Sequence, residues 1–139
     1  MVAQQLADVL GIAGDPKNGK PCYSYFTCGT PLASLTVNSS GGVQLNGGAI
    51  TTAGAIAIND NATLGNDLTI TTTNANVLFN GTVNSATATA RDLTIDAGSG
   101  AIRLAGIIGA TNALDAVTLN STGQTRLDGA LTVGSLTTN

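Results

Sequence analysis

Between Leu35 and Asn139 the chain repeats one phrase almost unchanged: LTVNS from Leu35, LTITT from Leu68, LTIDA from Leu93, VTLNS from Val117 and a shortened LTTN from Leu136. A second phrase follows each of the first four: VQLNG at Val43, VLFNG at Val77, IRLAG at Ile102 and TRLDG at Thr125. The starts of the first phrase lie 33, 25, 24 and 19 residues apart, spanning Leu35 to Leu136. Self-similarity at a period of roughly 20 to 30 residues marks a stacked architecture, in which no unit can bury its apolar side alone. Within each phrase the apolar residues sit two apart, as in Leu93 and Ile95 or Ile102 and Leu104. That is the period of a strand with one buried face, and it disfavours a helical solenoid.

Like phrases that follow one another by one unit stack most simply in parallel, so the expected fold is all-β, a parallel β-helix. The inward rows expected are Leu35, Leu68, Leu93, Val117 and Leu136 on one side, and Leu45, Phe79, Leu104 and Leu127 on the next. A weaker third strand at Ala49-Ile50, Thr82-Val83, Ile107-Ile108 and Leu131-Val133 makes the coil three-sided, with about four to six coils. Asn46, Asn80 and Asp128, each followed by Gly, are expected to share one corner, where an Asx side chain bonds nearby backbone. The 33-residue first interval is too long for one unit. Its extra stretch, Ala53 to Asp67, reads as two short coils or as one coil with an excursion, the first favoured because Ala62 and Leu64 continue the alternation of Ile56 and Ile58.

Composition fits short strands joined by tight corners. Of 139 residues, 21 are Thr, 20 Ala, 18 Gly and 13 Asn, whereas charged residues make up 9%. Thr suits strands, and Asn and Gly suit turns. Aromatics at 3% leave the core to aliphatic side chains. No apolar run approaches the roughly 18 residues a spanning helix needs, so membrane insertion is not expected. A net charge of −3 argues against nucleic acid as a partner.

Residues 1–33 follow different rules and are expected to cap the solenoid of residues 34–139 or to form a subunit contact. Val2, Leu6, Val9, Leu10 and Ala13 have helical spacing, stopped by Gly14, Asp15 and Pro16. The segment from Pro21 to Gly29 holds both cysteines and three of the four aromatics. Cys22 and Cys28 close a small loop by disulfide if the protein is extracellular, and otherwise are reduced thiols. After Met1 the chain is polar and amphipathic, without the apolar core of a secretory signal.

Catalysis is not expected, and neither a metal nor a cofactor is called for. The chain has no His and no Glu, which removes Ser-His-Asp, Cys-His and His-metal arrangements. Asp92 and Asp96 face outward about 13 Å apart by strand rise, too far for paired acid-base work. The calcium-binding Gly-Gly-x-Gly-x-Asp nonapeptide is absent, and Asn59-Asp60-Asn61 reads as a turn. The sequons at Asn38, Asn61, Asn80 and Asn120 carry little weight in a chain so rich in Asn and Thr.

Two outward ladders are candidate ligand-facing surfaces. Arg103 and Arg126 occupy the same position in successive units, aligned with Gln44 and Leu78. They either grip an anionic polysaccharide or a carboxylate-bearing surface, or pair with Asp128 or Asp96. Thr36, Thr69, Thr94, Thr118 and Thr137 form a single outward Thr row.

The repeated LTV and LTI phrases, the Asn-Gly corners and the near-absence of Lys, Glu, His and Trp resemble the β-strand repeat regions of filamentous haemagglutinin-like bacterial adhesins. The resemblance covers roughly Leu32 to Asn139; the first 31 residues do not match that family's secretion domain. It implies a right-handed coil, secretion or display at the bacterial cell surface, and a role in adhesion, biofilm or extracellular scaffolding. The partners it implies are further repeats of a longer chain, other copies stacked head to tail into a filament, and a host or matrix glycan. An ice-binding solenoid using the Thr row, and a fragment of a polysaccharide-binding or polysaccharide-degrading β-helix, are the alternatives.

Overall fold

The structure, a computed structural model, describes residues 31–139. The helix expected near the N-terminus and the Cys22–Cys28 loop lie outside the described residues. The chain winds through five coils, each presenting up to three short strands. The first coil is β1 (Leu35–Val37), β2 (Val43–Leu45) and β3 (Ala49–Thr52); the second is β4 (Ile56–Ile58), β5 (Ala62–Leu64) and β6 (Leu68–Thr72). The third coil is β7 (Val77–Phe79), β8 (Val83–Ser85) and β9 (Leu93–Gly98). In the fourth, β10 (Ile102–Leu104) leads through a lone bridge at Ile108 to β11 (Leu114–Ser121). In the fifth, β12 (Thr125–Leu127) leads through Leu131 to β13 (Val133–Thr138).

Every strand pairs in parallel with its counterpart one coil away. One side is β1-β4-β7-β10-β12, the second β2-β5-β8, the third β3-β6-β9-β11-β13. The expected parallel β-solenoid is therefore the fold. Already before β1, Leu32 bridges Thr52, so the stack begins slightly ahead of residue 34.

The inward rows need correction. On the first side Leu35, Ile56, Val77, Ile102 and Thr125 are in register, at intervals of 21, 21, 25 and 23 residues. Leu35 therefore does not stack on Leu68. The third-side row is Leu68, Leu93, Val117 and Leu136, and its next row is Ile50, Ile70, Ile95 and Leu119. Phe79, Leu104 and Leu127 do align, but below them come Ile58 and Val37, not Leu45, which stacks on Leu64 across the second side. Ala49-Ile50 lies on the third side rather than with Val83 and Ile108. The physical cause is that a period of two reports which residues point inward and is silent about which side of the prism the strand occupies. For the same reason the stretch from Ala53 to Asp67 is not two coils. Its two strands, β4 and β5, are two sides of a single coil that β6 completes.

The core is a column of aliphatic layers. Ile58, Leu64, Ile70, Phe79, Leu93, Ile95, Leu104 and Leu119 are wholly buried, each contributing on the order of 1.5 to 3 kcal/mol. The polar residues drawn inside are satisfied locally. Thr52 Oγ1 donates to the Gly54 carbonyl at 2.6 Å, Thr72 Oγ1 to the Ala75 carbonyl at 2.7 Å, and Ser85 Oγ to the Ala113 carbonyl at 2.8 Å. Among the described residues no buried side-chain polar atom lacks a partner.

Candidate functional site

The corners between sides account for much of the Asn content, and one of them, after the first side, stacks Asn on Asn. Asn38, Asn59 and Asn80 follow β1, β4 and β7 and form an amide ladder. Asn59 Nδ2 donates to Asn38 Oδ1 and Asn80 Nδ2 to Asn59 Oδ1, both at 2.6 Å. The next two positions in this column are Ala105 and Asp128, as the phrase alignment expects. Asn46 is not part of it: it follows β2 at the next corner, where its carbonyl accepts from Asn66 Nδ2 at 2.7 Å. Elsewhere an Asn oxygen takes the backbone N–H of the following coil: Asn61 from Thr82 at 3.0 Å, Asn76 from Ala101 at 2.8 Å and Asn84 from Thr111 at 2.8 Å.

Arg103 and Arg126 are direct neighbours in register on the first side. Both are claimed by Asp128. Arg103 Nε donates to Oδ2 at 2.8 Å and Arg126 Nε to Oδ1 at 2.5 Å, while Asp96 takes neither. The bonds from Arg103 and then Arg126 hold the Asp128 carboxyl below the ordinary carboxylate range. A carboxylate between two guanidinium groups cancels the repulsion that like charges on adjacent strands would feel. The cluster keeps one net positive charge, and the same column continues through uncharged Leu78, Ala57 and Thr36.

The Thr row holds with one exception. Thr69, Thr94, Thr118 and Thr137 are in register on the third side, above Ala49. Thr36 stands on the first side, facing Ala57. Beside this row runs a second that the sequence reading missed: Thr51, Thr71, Asp96 and Asn120. Asn139 extends it, donating from Nδ2 to Asn120 Oδ1 at 2.9 Å. The signal was present two residues beyond each Thr of the repeated phrase, in LTIT, LTID and VTLN. The result is a parallel sheet surface that bears hydroxyl and amide groups and one carboxylate.

Four of the other acidic residues, Asp60, Asp67, Asp92 and Asp96, accept from backbone amides. Asp92 Oδ1 accepts from the Ala116 amide at 3.0 Å, and the Asp92 amide donates to Asp67 Oδ1 at 3.1 Å. Asp96 Oδ1 accepts from the Gly98 amide at 3.3 Å, and Asp60 Oδ2 from the Ser39 amide. The sequon residues Asn38, Asn61, Asn80 and Asn120 all have their side chains hydrogen-bonded to an adjacent coil, Asn61 to a backbone amide and the other three to Asn side chains. Among the described residues no three His, Cys, Asp or Glu side chains group to hold a metal ion, and no helix is long and apolar enough to cross a membrane.

No family model, curated protein or solved structure matches the chain.

Proposed function

We propose that this chain is a non-enzymatic structural and adhesive segment of a secreted or surface-displayed bacterial protein, a right-handed rod that presents polar, sparsely charged faces. The observation that carries this reading is the use of the outward polar side chains. Asn38, Asn59, Asn80, Asp92 and Asp128 bond the coil above or below rather than converging on a reaction centre. The right-handed sense follows from the twist preference of parallel crossovers. The extracellular setting rests on the resemblance to adhesin repeats and on a surface almost free of Lys and Glu.

Incubation with acidic and neutral polysaccharides should give no new reducing ends, and an immobilised preparation should retain bacterial-matrix or host glycans from an array. Turnover abolished by Asp92→Asn or Arg126→Gln would overturn the non-enzymatic reading; an array without retained glycan would remove the adhesive part.

The paired rows of the third side favour one further reading, ordering of water or ice on in-register hydroxyl groups. Thermal hysteresis that disappears in Thr94→Lys and Thr118→Lys variants would support it, and no hysteresis at high protein concentration would remove it.

A further inference from the structure

In the middle of the stack, Asn80 is followed by Gly81. With no side chain on the second residue, nothing of its own shields the Gly81 backbone nitrogen from the Asn80 side-chain carbon, Cγ. Asn80 is exposed, so water and hydroxide reach it. What the fold withholds is movement. The Asn80 backbone amide donates to the Ile58 carbonyl at 2.9 Å, its Nδ2 to Asn59 Oδ1 at 2.6 Å, and the Thr82 amide to Asn61 Oδ1 at 3.0 Å. All three acceptors belong to the second coil, and together they hold the Asn80 side chain and both flanks of the peptide that joins it to Gly81. Gly81 is wedged as well. A Cβ on it would collide with the backbone of Asp60 and Asn61, and Gly106 of the fourth coil packs on the Gly81 carbonyl from the other side.

We propose that Asn80 is a deamidation site gated by the stack, inert while the second and third coils are joined and reactive once they part. The Gly81 amide gives up its proton to hydroxide, and its nitrogen bonds to Asn80 Cγ. The bond from Cγ to Nδ2 breaks, ammonia leaves with a proton taken from water, and a five-membered succinimide closes. Water then opens the ring at either carbonyl, which leaves aspartate or isoaspartate at this position. The net change is one water consumed and one ammonia released. In the stacked chain Cγ cannot turn toward the Gly81 nitrogen without giving up the bond to Asn59, and the peptide cannot rotate without displacing the coils on both sides. Isoaspartate adds a carbon to the main chain at a corner where backbone already touches backbone, so the reaction is a one-way record that the coils have separated.

The test is to incubate the 139-residue chain in mildly alkaline buffer with and without urea. Peptide mass mapping and isoaspartyl methyltransferase labelling follow position 80. A reaction that proceeds through a transiently opened state follows the population of that state, so conversion in native buffer should be at least about tenfold slower than in urea. Asn59→Ala removes the acceptor and should raise the native rate roughly fivefold, the equivalent of one hydrogen bond, with the rate in urea unchanged. Asn61→Ala, which frees the Thr82 amide, should act in the same direction. Asn59→Asp still offers an oxygen to Asn80 Nδ2 and should stay close to wild type. Circular dichroism verifies that each variant is folded. Equal wild-type rates in native buffer and in urea, a folded Asn59→Ala chain no faster than wild type, or Asn59→Asp as fast as Asn59→Ala would each overturn the proposal. None of these outcomes bears on glycan retention, so the adhesive reading stands or falls separately.

Discussion

Asp128 is the described residue whose protonation state carries a clear structural consequence. Its carboxyl is held below the ordinary range by Arg103 first and Arg126 second. For a depressed carboxylate, the contribution to stability is complete above the unfolded-state pKa and is lost as pH falls through the folded-state value. The melting temperature should therefore be flat from neutrality down to about pH 4 and decline below it, and Asp128→Asn should shrink the Asp128 part of that decline. Asp128→Ala should also leave Arg103 and Arg126 opposed across adjacent strands, a destabilisation that added salt should reduce. The Asn ladder makes a separate prediction. Asn59→Ala breaks two amide bonds and should cost about 1 to 2 kcal/mol in denaturant unfolding. Ala105→Asn should recover part of that loss in the same background by extending the ladder toward Asp128.

At the scale of the strand and its corner, the closeness of the coils decides which substitutions are tolerated. A Cβ placed on Gly106 would lie 2.2 Å from the Gly81 carbonyl oxygen, and one on Gly129 would lie 2.2 Å from that of Gly106. These glycines form a column because backbone occupies the space a side chain would need. Gly106→Ala must push two coils apart and should lower stability by more than about 1 kcal/mol. Gly41 has nothing within 4 Å of the same position, so Gly41→Ala should be neutral, or stabilising by up to about 1 kcal/mol through the unfolded chain. The paired melting curves of these two variants are the check, and equal losses would count against the column. Corners also explain the unequal coil lengths. Seven residues, Ala86 to Asp92, connect β8 to β9, whereas three, Gly65 to Asp67, connect β5 to β6.

For the molecule as a whole, stability is a sum over coils and their contacts with neighbours. A core deletion should then cost most in the middle coils and least in the last coil, where the row is more exposed. Ile95→Ala, in a wholly buried site, should cost about 2 to 5 kcal/mol. Leu136→Ala, at 43% exposure, should cost no more than about 0.5 kcal/mol. Chemical denaturation of both variants tests this gradient. A flat profile would mean that the coils do not act as a one-dimensional stack.

The repeat and the two-residue alternation were enough to determine that the chain is a parallel β-solenoid with an aliphatic core. Both are local properties of a strand with one face in water. They also located Arg103 beside Arg126 and four of the five Thr in one row, because those residues sit in phrases that recur at one coil's distance. Only the tertiary structure decided which side of the prism each phrase occupies. Leu35-Thr36-Val37 and Leu68-Thr69-Ile70 read alike, yet they lie on different sides, because the corner lengths between them, and not their own residues, set the phase of the coil. The tertiary structure likewise decided that Asp128 takes both arginines, since an ion pair depends on a distance between coils 25 residues apart that no local pattern contains.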